Sequence, residues 1–185
     1  MVIRIRYLVA LFLFLIAMTS APVMAAPTPS KVELDAEVQA TLDQLYKDKP
    51  AAKTLGEDAK GILVFPTVIK GGFFIGGEFG DGALLINHQI TDYYRTVSAS
   101  IGLQAGAQAR SQIIMFMTDD ALDTFLDSEG WKAGVDGSVA IAEFGAAGTI
   151  DTQISQAPII GFITDGKGLM YNLTFEGSKI TKIKK

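Results

Sequence analysis

The chain has 185 residues with no cysteine and one histidine, and its 20 acidic residues outnumber its 16 basic ones. This length suffices for one domain with a sizeable core, while the acidic balance excludes a surface built for nonspecific attraction to nucleic acid or to an anionic membrane. Because cysteine is absent, burial and hydrogen bonding must stabilise the fold without disulfides.

The first 25 residues have the pattern of a secretory signal peptide. Arg4 and Arg6 form a positively charged n-region, and residues 7–18 form a continuous apolar run. Small residues then precede Ala26, as at a signal-peptide cleavage site. The run is short for a membrane span, and a retained N-terminal anchor is the alternative. We therefore expect export, cleavage before Ala26 and a periplasmic or cell-envelope location. The mature chain then carries 14 basic and 20 acidic residues, a net charge of −6, so any anion site must be local.

A helical lead-in is predicted over residues 31–60, after a short linker at residues 26–30. The segment Ser30–Glu33 has the spacing of a capping box, and apolar residues then recur at helical intervals to about Lys47. Pro50 ends this helix or opens a second, shorter one. The lead-in is therefore predicted to be amphipathic and to pack one face against the rest of the domain.

Residues 61–185 have the periodicity and composition of a curved β-sheet. All 19 glycines of the chain lie at or after Gly56. In residues 96–109, apolar side chains alternate with polar residues or glycine, which predicts one long strand with a buried face. Glycine on its other face permits the bends of a strongly curved sheet. Further strands are predicted at residues 62–65, 72–79, 83–86, 90–95, 113–117, 138–143, 153–155, 159–164, 169–174 and 178–183, with turns at residues 80–82, 87–88 and 165–166.

One helix is predicted to interrupt the strands. Thr118 suits its N-cap, Asp119 and Asp120 suit the positive end of its dipole, and Gly130 ends the apolar stripe that follows. The predicted fold class is therefore α+β, with N-terminal amphipathic helices followed by a curved, mostly antiparallel β-sheet or barrel with one inserted helix.

Two glycine-rich segments raise the question of a phosphate-binding loop. Residues 161–168 match G-x-x-x-x-G-K, but Gly168 stands where Ser or Thr should hold magnesium, and no helical pattern follows. In residues 61–82 the glycines lie among apolar residues, and Glu78 and Asp81 would repel a phosphate. We therefore interpret these glycines as architectural, and we assign Phe79 and its neighbours Phe73 and Phe74 to the core.

No residue pattern supports catalysis or metal binding. His88 is the only histidine and lies in a predicted turn, so neither a converging metal site nor a Ser-His-Asp triad is indicated. Asp119 and Asp120 are adjacent on one helix and do not face each other. We predict no enzymatic activity, no catalytic residue, no metal and no cofactor, and the place of Trp131 stays open between core and interface.

Four segments, taken in order, carry a family resemblance. They are AKGILVFPTVIKGGFFIGGEFGDGALL, YYRTVSASIGLQAGAQARSQIIMFMTDDAL, GWKAGVDGSVAIAEFGAAG and GFITDGKGLMYNLTFEGSKITKI. Together they resemble the SYLF domain, a lipid-binding family also called DUF500 or Ysc84-like, over about residues 42–183. The resemblance implies one domain over residues 31–185 that binds lipid or membrane without catalysis. Eukaryotic members of the family bind phosphoinositide membranes, and some fungal members bind and bundle actin.

The resemblance also indicates candidate contacts for an anionic headgroup. Lys70 lies in the I-K-G-G-F motif, and Lys179 and Lys182 lie in the ending E-G-S-K-I-T-x-I. Lys60, which flanks the opening strand together with Lys70, completes the set; a solvated basic C-terminal end is the alternative. The lead-in departs from the eukaryotic pattern because its charged residues are net acidic, so it is not expected to dock on an anionic membrane.

The sequence therefore predicts a non-catalytic lipid- or membrane-binding module of the bacterial cell envelope. The alternative is a structural or protein-interaction module of the envelope that has no lipid ligand. The expected partner is a lipid or a membrane surface, with an envelope protein as the alternative. Nucleic acid is not expected as a partner, and actin is not expected for an exported protein.

Overall fold

The computed structural model describes residues 28–72, 75–101, 106–144, 150–165, 175 and 177–185. Helices come first, and an eight-stranded, strongly curled half-barrel sheet follows with a helix inserted, which confirms the predicted α+β class. The predicted signal peptide and the strand at residues 169–174 lie outside the described residues. The domain boundaries stay predictions.

The two lead-in helices form where the sequence predicts them. Helix α1 spans Lys31–Asp48 and helix α2 spans Pro50–Asp58. The predicted capping box is present, because the Ser30 side chain accepts from the Glu33 amide and the Glu33 carboxylate accepts from the Ser30 amide at 2.8 Å. The four buried residues of α1 recur at helical spacing and face the sheet: Leu34, Val38, Leu42 and Leu45.

The sheet contains eight strands in the spatial order β5-β8-β3-β2-β1-β4-β7-β6. They are β1 (Gly61–Gly72), β2 (Ile75–Ile86), β3 (Gln89–Ile101), β4 (Gly106–Phe116), β5 (Trp131–Lys132), β6 (Ala140–Ile141), β7 (Ile159–Thr164) and β8 (Lys179–Ile183). Every neighbouring pair is antiparallel except β6 and β7. Two further helices are α3 (Asp119–Leu126) and α4 (Thr152–Ser155). Thr118 caps α3 as predicted.

Each face of the sheet packs its own apolar core. On the α1 face, the lead-in helices cover strand residues such as Val64, Tyr93 and Ile113. On the opposite face, called the α3 face, Phe125 of α3 packs at 4.8 Å between ring centroids from Phe116 and is joined by other buried aromatic residues. These are Tyr94, Trp131 and Phe175. Trp131, whose place the sequence left open, is therefore a core residue.

The predicted turn at residues 80–82 is wrong, because these residues lie inside β2. Gly80 and Gly82 instead allow close backbone approach: a Cβ on Gly82 would lie 2.3 Å from the carbonyl oxygen of Val64. The pairing of β1 with β2 shifts by a bulge between Val64 and Ile69 at this place. The predicted turn at residues 87–88 is confirmed, and both of its residues have positive φ, as a two-residue hairpin turn requires.

Two of the strand predictions are also wrong, each for a physical reason. Residues 153–155 belong to α4, because the Asp151 carboxylate accepts from the Gln153 amide and caps a helical turn. Residues 96–109 do not form one strand, since β3 ends at Ile101 and β4 begins at Gly106. The alternation of apolar and small residues continues from one strand into the next, so the pattern does not mark the break.

Candidate functional site

One row of residues crosses six strands of the sheet in register. Its members, from one edge inward, are Lys132, Lys179, Val97, Phe79, Ile69 and Ala109. Direct cross-strand partners point to the same face of a sheet. Val97 follows Tyr93 by four positions in a strand, and Tyr93 packs in the α1-face core, so this cross-strand row also lies on the α1 face.

The apolar part of the cross-strand row is not covered by the lead-in helices. Phe79 is 41% exposed and Val97 is 49% exposed, and Ala109 is exposed as well. The prediction that Phe79 belongs to the core is therefore wrong, as is the prediction that Val97 and Ala109 lie on a buried strand face; Phe73 and Phe74 lie outside the described residues. The reason is length: β1 to β4 each contain 11 to 13 residues, and α1 covers only part of their span.

Helix α1 begins at the boundary between the covered and uncovered parts of this face. The Lys31 ammonium contacts the hydroxyl of Tyr93, which donates to Asp35 at 2.7 Å. The chain that leads into α1 then runs beside the cross-strand row. A pocket of about 180 Å³ lies between them, lined by residues that include Pro29, Ile69 and Phe79.

A buried carboxylate separates the cross-strand row from the covered core. The Asp81 side chain is 1% exposed and accepts from Arg95 through two hydrogen bonds, Nε to Oδ1 at 2.6 Å and Nη2 to Oδ2 at 3.0 Å. The Lys185 ammonium donates to Asp81 Oδ2 at 2.9 Å and to the Pro29 carbonyl at 2.7 Å. Two cations thus share one carboxylate.

The ionisation of Asp81 follows from these contacts. Burial alone raises the pKa of its carboxyl, but the hydrogen bonds from Arg95 and Lys185 outweigh that effect, so the pKa lies below its usual value. The hydrogen bond to Asp81 in turn raises the pKa of Arg95. Asp81 therefore stays ionised and orients the Arg95 guanidinium at neutral pH.

The four lysines proposed from sequence do not converge on one surface. Three of them have acidic partners: Lys60 lies 3.9 Å from Asp119, Lys70 lies 3.4 Å from Glu78, and Lys182 lies 2.6 Å from Asp92. Lys179 is exposed and forms no ion pair within the described part of the chain. It alone belongs to the cross-strand row, and headgroup contact by the other three stays a prediction.

Lys70 belongs to a second charged group, on the α3 face. Glu78 lies between Lys70 and Arg110, and both Glu78 and Arg110 are buried. The Arg110 guanidinium contacts the Glu78 carboxylate through Nη2. Because both oxygens of Glu78 are occupied, this group contributes one net positive charge that is mostly shielded from solvent. It ties β1, β2 and β4 together rather than presenting a cationic surface.

The sequence reasoning missed Arg95, Asp81 and Lys132 as members of a site. Each lies in a strand, and their proximity depends on the register between strands that are far apart in the chain. Asp81 and Arg95 are register partners only because the pairing of β2 with β3 shifts between Leu84 and Leu85; an alignment counted from the turn would have paired Asp81 with Tyr94 instead. Lys132 had no local signal either, because β5 is only two residues long.

No described helix combines the length and the apolar character that a membrane crossing requires. No group of three potential metal ligands occurs among the described side chains. His88 is exposed in its turn, which confirms the expected surface position.

Comparison with known proteins connects the second half of the chain with one family. The family model Ysc84, described as "Las17-binding protein actin regulator", matches residues 97–185. A search of curated proteins finds no match. The matched range includes both lysines of the cross-strand row together with Val97 and Ala109, whereas Ile69 and Phe79 precede it.

Proposed function

We propose that the chain, whose residues 97–185 match the Ysc84 (SYLF) family model, is a non-catalytic, lipid-binding module that docks on a membrane surface of the cell envelope. The family is a family of binding domains associated with lipid and actin in general. The observation that carries the proposal is the exposed apolar part of the cross-strand row. The envelope location is supported by the signal-peptide pattern of the first 25 residues.

The apolar part of the row is suited to contact with acyl chains. Full burial of a large apolar side chain stabilises by about 1.5–3 kcal/mol, and roughly half of the Phe79 and Val97 surfaces is still available for burial. The next register pair outward is Gly77 and Ala99, which are both exposed and small. This part of the sheet therefore presents only small or apolar residues, and lipid chains can approach its backbone closely.

Docking through this surface needs no net positive charge on the whole protein. Each methylene of an acyl chain that leaves water contributes about 0.8 kcal/mol, so apolar contact alone supplies useful affinity. The net charge of −6 on the mature chain weakens long-range attraction to anionic membranes. We therefore infer that apolar contact is the main driving force and that charge acts locally.

A protein partner is the second candidate, because the matching family is described as Las17-binding and as an actin regulator. An exposed apolar surface also suits a protein interface. In that case the same surface would hold an envelope protein, and lipid would not co-purify with the module. The two candidates therefore share a surface and differ in its occupant.

Vesicle flotation tests the proposal through Phe79→Ser combined with Val97→Ser. We expect the double variant to lose vesicle binding more than tenfold, because it removes about 2 kcal/mol of apolar burial. Leu126→Ser is the matched control, since Leu126 is 39% exposed and lies on α3, away from the cross-strand row. The control should float as the wild type does.

The mature protein should be tested on zwitterionic vesicles, anionic vesicles and vesicles of native envelope lipids. Absence of flotation on all three contradicts lipid binding. Crosslinking in the native host is the second arm of the experiment. A stable protein partner that is lost in the double variant, in the absence of lipid binding, would establish the alternative. Circular dichroism confirms that each variant is folded before either arm is interpreted.

A further inference from the structure

The cross-strand row ends in two lysines that face each other across β5 and β8. Lys132 and Lys179 are direct register partners, and both side chains are exposed. Like charges placed directly opposite in a sheet repel each other and destabilise the pair. Neither lysine forms an ion pair with any residue that the structure describes. This arrangement leaves an uncompensated positive charge at one end of an apolar surface.

A third cation lies beside these lysines. Arg95 pairs in register with Thr181 and is therefore the diagonal neighbour of Lys179 on the same face. The Arg95 side chain is 39% exposed, and only its Nε and Nη2 atoms donate hydrogen bonds to Asp81. Arg95 shares the Asp81 carboxylate with Lys185. Nη1 thus remains a donor toward solvent.

We propose that Lys132, Lys179 and Arg95 form the subsite for the phosphate of an anionic lipid headgroup, with the Thr181 hydroxyl as a further donor. The inference rests on the proposed lipid-binding function and assigns the headgroup end of the same surface. Lysine and arginine are the side chains that bind phosphate through charge-assisted hydrogen bonds. The lipid's acyl chains then lie over Val97 and the apolar residues beyond it.

The local packing supports a shared anion position. Gly130 lies next to both β8 side chains: a Cβ there would be 2.6 Å from Lys179 Cε and 3.8 Å from Thr181 Oγ1. The absence of a side chain at Gly130 therefore leaves the space that the Lys179 stem occupies. Cross-strand and diagonal neighbours lie about 5 to 8 Å apart, so flexible lysine side chains can converge on one phosphate from these positions.

No acidic side chain among the described residues forms an ion pair with Lys132 or Lys179. The Asp136 carboxylate accepts from the Lys132 backbone amide at 2.6 Å and is not paired with the ammonium. Glu37 lines the neighbouring pocket, on the side of α1 and Asp81. Lysine side chains near an anionic membrane each contribute to binding, and that contribution falls with salt concentration. We therefore expect two contributions to binding: a preference for anionic lipid that weakens with salt, and apolar docking that does not depend on salt.

The test compares phosphatidylcholine vesicles with the same vesicles containing phosphatidylglycerol, at low and high salt. Wild type should bind the anionic vesicles more tightly at low salt only. In the variant that combines Lys132→Gln with Lys179→Gln, the extra affinity for anionic vesicles at low salt should fall more than tenfold. Its binding to phosphatidylcholine vesicles should stay unchanged. The matched control is Lys47→Gln combined with Lys53→Gln, which removes the same charge from two exposed lysines on the lead-in helices and should keep the gain.

Each outcome separates this inference from the proposed function. Wild type that floats equally on both vesicle types, or equal losses in the two double variants, would overturn the subsite and leave lipid docking intact. If the wild type floats with neither vesicle type, both the phosphate subsite and the proposed lipid docking are contradicted. Inorganic phosphate is titrated without vesicles to distinguish the phosphate source. No thermal shift supports a lipid-borne phosphate, whereas a saturable shift that the Lys132 and Lys179 variant abolishes would assign the site to free phosphate instead.

Discussion

Gly82→Ala is expected to destabilise the protein by about 3 kcal/mol, whereas Gly77→Ala on the same strand should change stability by less than about 0.5 kcal/mol. A Cβ on Gly82 would lie 2.3 Å from the Val64 carbonyl oxygen and 2.5 Å from Cδ1 of Phe65. The first of these atoms belongs to the backbone of β1 and cannot move without breaking the strand pairing. The nearest atom to a Cβ on Gly77 is the Ser98 carbonyl oxygen at 3.7 Å, an ordinary contact.

Urea unfolding followed by circular dichroism measures both variants. The free energy of unfolding should fall for Gly82→Ala at an unchanged denaturant dependence, and it should match the wild type for Gly77→Ala. Equal stability of the two variants would contradict the packing described for β1 and β2.

The sequence predicts those parts of the fold that depend on local interactions. The capping box at Ser30, the helix that follows it and the turn at residues 87–88 are all present. Each depends on residues only a few positions apart, so each leaves a readable pattern. The inserted helix after Thr118 is likewise present, with its N-cap hydrogen bond.

The candidate site depends instead on register, which the sequence does not display. Lys132, Lys179 and Phe79 become parts of one row only because β5, β8, β3 and β2 pair as they do. Alternation identifies two faces of a strand but does not show how far a helix covers either face. The sequence therefore predicts Phe79 as a core residue, although its side chain is 41% exposed.

Coverage of the α1 face changes along the strands, and this gradient gives the surface its chemical character. Next to Tyr93 the face is packed under α1; at Asp81 and Arg95 it carries buried and half-buried charges; at Phe79 and Val97 it is exposed and apolar. A peripheral membrane surface requires the same order, with apolar residues to enter the acyl region and charges to meet the headgroups. The charged residues also connect the segment before α1 with β8 and the residues after it, because Lys185 binds both Asp81 and the Pro29 carbonyl.

Asp81→Asn is expected to destabilise the protein by about 3 kcal/mol at neutral pH, because it leaves Arg95 and the nearly buried Lys185 without their shared carboxylate. The contacts lower the pKa of Asp81 in the folded protein. A lowered carboxyl pKa contributes stability that is present above the unfolded-state value, near 4, and is lost as the pH falls through the folded-state value. The stability difference between wild type and variant should therefore shrink on acidification below about pH 4.

Asp92→Asn is the matched control for this prediction. Asp92 pairs with Lys182 at 2.6 Å, but the lysine side chain is 60% exposed, so loss of the pair should cost less than about 1 kcal/mol. Urea unfolding from neutral to acidic pH measures all three proteins. A difference between wild type and Asp81→Asn that stays constant down to low pH would show that the ionised carboxylate does not hold these cations. In that case Arg95 would not be oriented by Asp81, and the phosphate subsite would lose its third cation.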